Sequence, residues 1–219
     1  MKSNIKGKAY IFDFDGTLVD SMPTWSAKML HVLQESGTAY PSDIIKILTP
    51  LGDFGSAAYF TNCLGCTWTQ EQMLAKMDEY ALPKYRDDIV LKEGVKAYLQ
   101  SLRDREVSLH VLTASPHKMV DPCLQRCGVF DWFDNVWSTD DFGMVKSDTA
   151  IYRAAAERIG VDVSDAVFFD DNLTASRTAR AAGMHAVGVY DASSDALAEQ
   201  IRGAADRYVY SLEELPDTM

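Results

Sequence analysis

The sequence predicts a doubly wound α/β fold interrupted by a helical insert. Three observations carry this. Short apolar runs alternate with helical patterns over most of the chain. The runs are continuous rather than alternating, as strands of a parallel sheet covered on both faces require. One stretch, from about residue 20 to residue 88, keeps helical periodicity and has no convincing strand.

Taken in order, Ala9 to Phe12, Leu109 to Leu112, Ala166 to Phe169, Met184 to Val189 and Arg207 to Tyr210 read as strands. Between them lie helices. Ser147 can cap one whose Ile151, Ala155 and Ile159 share a face, and Gly160 ends it. Leu173 to Ala182 carries small residues at 175, 179 and 182, so it can sit close on a sheet. Pro116 suits the first turn of another helix with Ser115 as its cap, and Pro122 predicts a kink or a restart. Such βαβ alternation gives right-handed crossovers and a parallel sheet.

In the insert, Trp25, Met29, Val32 and Leu33 form one apolar face closed by Gly37. Thr69 to Gln72 reads as a capping box ahead of Met73, Met77 and Tyr80. Residues 49–55, rich in Pro and Gly, read as a loop. The aromatics Trp25, Tyr59, Phe60 and Trp68 are expected in the core of the insert. The organisation expected is a core of residues 1–19 and 89–219 and an insert of residues 20–88.

The chain has 219 residues, of which 47% are hydrophobic, enough for a sizeable core. Its net charge of −11 lacks the basic footprint of a nucleic-acid or anionic-membrane partner. Lys2, Lys6 and Lys8 make a basic start, but Asp13 stops the apolar run after Phe12, too early for a signal peptide or a membrane span. A cytoplasmic protein is expected. Cys63 and Cys66, and Cys123 and Cys127, form two close pairs; buried reduced thiols are expected rather than a zinc site, because no His completes a known spacing. His31 is expected on a solvated helix face, and His110, His117 and His185 carry no role.

Three predicted strands end in reactive polar residues. The first runs into Asp13 and Asp15, the second into Thr113, Ala114 and Ser115, the third into Asp170 and Asp171. In open α/β sheets the ligand crevice lies at these carboxyl ends. Four carboxylates would meet there, and each close like-charged pair costs about 1–4 kcal/mol at ~4 Å. The cluster therefore calls for a cation. Oxygen ligands without His or Cys favour Mg²⁺. A carboxylate-held metal beside a hydroxyl and a lysine suits phosphoryl transfer, and an Asp can act as nucleophile. Gly16 permits a tight turn and close backbone approach to a phosphate. Each motif also has a bland reading: an acidic surface turn for residues 13–17, a helix-capping hydroxyl for Thr113, an ordinary surface lysine for Lys146, a helix cap for Asp170 and Asp171.

Taken together, Asp13-Phe14-Asp15-Gly16-Thr17, Leu112-Thr113-Ala114-Ser115, Lys146 before Ile151 to Arg158, and Phe168-Phe169-Asp170-Asp171-Asn172 resemble the four motifs of the haloacid dehalogenase superfamily. The likeness is to the branch with a helical cap, which includes phosphoglycolate phosphatases and β-phosphoglucomutases. It implies a Rossmann-like core, Mg²⁺ as cofactor and a small phosphorylated metabolite as substrate. It also implies that Asp13 attacks phosphorus and Asp15 acts as acid and base. Gly16, Thr17, Thr113, Ala114 and Lys146 would surround the phosphoryl group. Mg²⁺ would take Asp13, the Asp15 carbonyl and Asp171, with Asp170 a direct ligand or the acceptor of a metal-bound water. Lys146-Ser147 departs from the usual Lys-Pro, which alters the helix start rather than the charge.

A phosphomutase is the alternative; its hinge His is replaced here by Trp25. A hydrolytic dehalogenase would lack Asp15. A phospho-accepting signalling module would carry its acidic pair early in the chain, whereas Asp170 and Asp171 come late. Oligomeric state is not legible in the sequence.

Overall fold

The structure, a computed structural model, describes residues 8–215. Lys2 and Lys6 of the basic start lie outside the described residues. The elements run β1 (Ala9–Phe12), α1 (Met22–Glu35), α2 (Ile44–Leu48), α3 (Gly52–Leu64), α4 (Gln70–Asp87), α5 (Val95–Arg103), β2 (Ser108–Thr113) and α6 (His117–Cys127). They continue with β3 (Asn135–Ser138), α7 (Thr149–Ile159), β4 (Ala166–Asp170), α8 (Leu173–Ala182), β5 (His185–Val189), α9 (Ala198–Ala204) and β6 (Arg207–Val209). Two compact units result. Ser21–Ile89 is one, and the chain on either side of it forms the other.

The larger unit is a parallel α/β sheet in the order β3-β2-β1-β4-β5-β6. Its two central strands, β1 and β4, are buried along their whole length, as strands covered by helices on both faces are. On one face Tyr10, Phe12 and Phe169 stack, with the Phe12 and Phe169 rings 4.4 Å apart, and Tyr98 of α5 meets their edges. On the other, Ile11, Leu112 and Phe168 pack against Ile151, Tyr152 and Ala155 of α7 and Ala175 and Ala179 of α8. Each aromatic so buried contributes roughly 1.5–3 kcal/mol relative to exposure.

Strand β3 escapes the sequence reading. It is an edge strand, and only its last residue, Ser138, is fully buried. Without burial on both faces it needs no continuous apolar run.

The smaller unit is all-helical. Trp25, Met29, Val32 and Leu33 of α1 meet Phe60 of α3 and Met73 and Met77 of α4, with Tyr59 and Trp68 packed alongside. Pro23 sits in the first turn of α1, where its missing N–H costs nothing. The capping box at α4 is formed: Thr69 Oγ1 accepts from the Gln72 N–H, and Gln72 Oε1 accepts from the Thr69 N–H.

Several local expectations are corrected. Residues 49–55 are not a loop: a 3-10 turn, Thr49–Leu51, runs directly into α3, and Gly52 takes the positive φ, 64°, that this junction requires. Asp148, not Ser147, caps α7, accepting from the Ala150 N–H at 2.9 Å. Pro116, not Ser115, precedes α6, and that helix passes through Pro122 without a restart. Cys66 and Cys123 are buried thiols, but Cys63 is exposed and Cys127 half-buried. His31 is half-buried, beside Tyr80 and Glu35 rather than wholly solvated.

His117 ties the start of α6 to the turn after β3. Its ring nitrogens lie 3.0 Å from Asp121 and 2.8 Å from Asp141. Hydrogen bonds to these two carboxylates raise its pKa above the ordinary histidine value. The stabilisation is therefore complete below the unfolded pKa and is lost as pH rises through the folded one. His117→Gln is expected to lower Tm at about pH 5.5 and to change it little at about pH 8.5, as scanning calorimetry at both values would read.

Candidate active site

The strand order places a topological switch at the centre of the sheet. From β1 the chain first builds outward through β2 and β3, then crosses back to β4 and builds the other way. A crevice opens at the carboxyl ends where the order reverses. Phe12 is in register with Phe169, so Asp13 leaves β1 beside Asp170 at the end of β4. The Asp13 N–H donates to the Phe169 carbonyl at 2.8 Å and fixes that register one residue beyond the strand.

Lys146 closes this junction. Its Nζ lies 2.5 Å from Asp13 Oδ1 and 2.9 Å from Asp170 Oδ2. The backbone that presents it is held by Tyr152, whose hydroxyl donates to the Lys146 carbonyl at 2.9 Å. Burial opposes the Lys146 charge, yet Asp13 and Asp170 hold its pKa above the ordinary lysine range. The second oxygen of Asp170, Oδ1, accepts from the Asn172 N–H at 2.7 Å. Asn172 also caps α8, accepting from Thr174 and Ala175 N–H groups, so neither Asp170 nor Asp171 serves as that cap.

Asp171 faces the first loop. Its Oδ1 accepts from the Thr17 hydroxyl at 3.2 Å. Gly16 has φ of 75°, and a Cβ there would stand 2.7 Å from Asp171 Oδ2. Glycine is thus required both for the turn and for the carboxylate packed on it. Oxygen atoms of Asp13, Asp170 and Asp171 lie within 4.8 Å of one another, all buried. Burial pushes the Asp13 carboxyl up to about 7, despite the Lys146 ammonium. Burial, then Asp170 and Asp13, raise Asp171 well above the usual carboxylate value. Three buried oxygen-donor carboxylates this close together form a set able to hold a divalent cation.

The β2 end adds hydroxyls. Thr113 is buried, and its Oγ1 accepts from the Ser115 N–H at 3.0 Å, while Ala114 between them is exposed. The Ser115 hydroxyl donates to Asp15 Oδ2 at 2.5 Å. The structure therefore brings Lys146 onto Asp13 and Asp170, an oxygen of Asp171 within 4.8 Å of those two carboxylates, Thr17 against Asp171, and Asp15 against the β2 loop.

Two residues at the site have no role there that the sequence assigns. Ser115 stands in the second motif, but the only role read for it is a helix cap. Lys92 donates to the Gly16 carbonyl and the Tyr190 carbonyl, both at 2.6 Å, and to Asp191 Oδ2 at 3.0 Å. Nothing local marks Lys92, since its three acceptors come from distant segments.

The pattern of the haloacid dehalogenase-like hydrolases matches residues 10–189. The chain belongs to this family of hydrolases. Among curated haloacid dehalogenase-like relatives, a phosphoglycolate phosphatase of Rhodospirillum rubrum is 30% identical over 82% of this chain and 78% of its own. A validoxylamine A 7'-phosphate phosphatase of Streptomyces hygroscopicus subsp. limoneus is 25% identical over 88% of this chain and 90% of its own. Among solved structures, a mutant CbbY of Rhodobacter sphaeroides in complex with xylulose-(1,5)bisphosphate superposes with a TM-score of 0.83, at 21% identity, covering 95% of this chain and 96% of that one. That likeness speaks for the shared fold, with its parallel sheet core and helical cap. Among the described residues no helix is long and apolar enough to cross a membrane.

Without a cation, folding makes Asp13 and Asp171 bind protons more tightly than the unfolded chain does. The folded state thus holds more protons from about pH 4, the unfolded carboxyl value, up to about 7 for Asp13. Its stability falls as pH rises through that window. A cation relieves only the ionised cluster. Mg²⁺ is expected to raise Tm by several degrees at about pH 8 and hardly at all at about pH 5. Equal shifts at both values, read by differential scanning fluorimetry, would contradict this account of the cluster.

Proposed function

We propose that this chain is a Mg²⁺-dependent phosphatase that hydrolyses a small-molecule phosphomonoester through an aspartyl phosphate on Asp13. The observation that carries the reading is the buried line of Asp13, Lys146 and Asp170 at the switch point, with Asp171 against it. Asp13 is placed at a strand end, and the neighbouring ammonium favours its ionised form at the moment of attack.

The donor set fits Mg²⁺: buried oxygen ligands with neither His nor Cys among them. Asp13, Asp171 and the Asp15 main-chain carbonyl would hold it. Asp170 has both oxygens engaged, by Lys146 and by the Asn172 N–H, which favours an indirect role in orienting Lys146 and metal-bound water. When bound, the ion offsets carboxylate charge and polarises a phosphoryl oxygen.

The protein groups divide the rest of the work. Asp13 oxygen forms a bond to phosphorus as the ester P–O bond breaks. Asp15 gives its proton to the departing oxygen, releasing the alcohol. In the second half a water attacks phosphorus, its proton passes to Asp15, and the Asp13–phosphorus bond breaks to free phosphate. Lys146, the Thr113 hydroxyl, the Ala114 amide and the Gly16–Thr17 turn would hold the phosphoryl oxygens, supplying fixed positive charge and donors where negative charge develops. The acidic surface and the relatives named above support a small phosphorylated metabolite rather than nucleic acid or a membrane as the partner.

The purified protein is expected to hydrolyse 4-nitrophenyl phosphate with Mg²⁺ and to stop when EDTA removes the ion. Asp13→Asn should fold normally and lose roughly 10³-fold or more in kcat. Full turnover in that variant would remove Asp13 as nucleophile. A panel of phosphoglycolate, sugar phosphates and nucleotides then ranks substrates. Conversion of glucose 1-phosphate to its isomer, instead of phosphate release, would turn the reading to a phosphomutase.

A further inference from the structure

Asp15 follows β1 and Ser115 follows β2, and these strands are neighbours in the sheet, so their loops emerge side by side. Across them the Ser115 hydroxyl reaches Asp15 Oδ2 at 2.5 Å. Ser115 is itself held, because its N–H donates to Thr113 Oγ1 at 3.0 Å. Pro116 follows with an extended backbone, φ −73° and ψ 153°, before α6 begins. A proline cannot donate, and it restrains the residue before it. Ser115 therefore stands on a fixed backbone, with its side chain directed at the carboxyl assigned to proton transfer.

We propose that Ser115 is a positioning residue for Asp15, holding its carboxyl in one orientation through both halves of the reaction. This rests on the phosphatase reading above. The chemistry of the hydroxyl suits the task. Asp15 alternates between a carboxylic acid, before it protonates the leaving oxygen, and a carboxylate, before it takes a proton from water. A hydroxyl donates to the carboxylate and, by rotating, accepts from the acid. An ammonium or an amide N–H in its place could donate but never accept, so it could not receive the acid's own O–H. Ser115 itself neither gains nor loses a proton in the cycle.

Leaving-group dependence tests this. 4-Nitrophenol departs readily as its anion, whereas phenol departs poorly without a proton. With Mg²⁺ saturating, kcat/KM is measured on 4-nitrophenyl phosphate and on phenyl phosphate for wild type, Ser115→Ala and Ser115→Thr. Ser115→Ala is expected to lose about tenfold more on phenyl than on 4-nitrophenyl phosphate, a fraction of what a general acid contributes. Ser115→Thr, which keeps the hydroxyl, is expected to recover most of that difference. Unchanged Tm in both variants ties the effect to the site. Equal losses on the two substrates, or no recovery by threonine, would overturn the proposal. A loss confined to KM would also overturn it, placing Ser115 on the substrate instead. Absence of Mg²⁺-dependent turnover by the wild type on both substrates would sink the phosphatase reading, and this proposal with it. Turnover that survives Asp13→Asn would remove the nucleophile alone.

Discussion

The structure depends most on a shortage of positive charge. Asp13, Asp170 and Asp171 are buried together at the sheet edge, and one ammonium, that of Lys146, stands between two of them. Removing ions from water is costly, and mutual attraction repays it only when geometry and hydrogen bonding are good. Here the good geometry belongs to Asp13, Lys146 and Asp170. Asp171 is left with the Thr17 hydroxyl and an environment that opposes its ionisation. The cluster is thus incomplete by charge but complete in shape, which is the condition of a site prepared for a cation.

Topology makes that crowding possible. Strand order β3-β2-β1-β4-β5-β6 puts β1 and β4 together although a cap, three helices and two strands separate them in sequence. Parallel neighbours end at the same edge, so residues just past each strand become neighbours whatever their sequence separation. The aromatic stack of Tyr10, Phe12 and Phe169 underneath gives the two strands a rigid floor. Tyr152 links the core to the site: its ring packs on Phe168 and its hydroxyl holds the Lys146 backbone.

Strands β1, β2, β4 and β5 were legible because they are buried along nearly their whole length, and edge strand β3 was not because only its last residue is. Pro and Gly in residues 49–55 read as a loop, yet Gly52 supplies the positive φ from which α3 starts, so the same residue type that breaks helices here admits one. The start of α7 is shifted because two capping side chains, Ser147 and Asp148, stand side by side and Asp148 makes the cap. The acidic residues of the site were legible from their place at strand ends. Ser115 and Lys92 were not, because their roles are contacts between segments far apart in the chain. A serine before Pro116 looks locally like a helix cap, and only the β1–β2 pairing shows which carboxyl it meets.

The way the helical unit is spliced into the core has a further consequence. The Asp20 N–H donates to the Val90 carbonyl at 3.0 Å, Val19 pairs with Leu91, and the Lys92 N–H donates to the Leu18 carbonyl at 2.9 Å. The chain leaves and returns through a short clamp, so everything between behaves as one closed loop. Doubling the length of such a loop costs only about 0.6 kcal/mol in closure entropy. The core therefore registers the junction and is nearly blind to what hangs from it. The module can be lengthened or shortened at little cost in closure entropy while the three carboxylates, all outside it, keep their places.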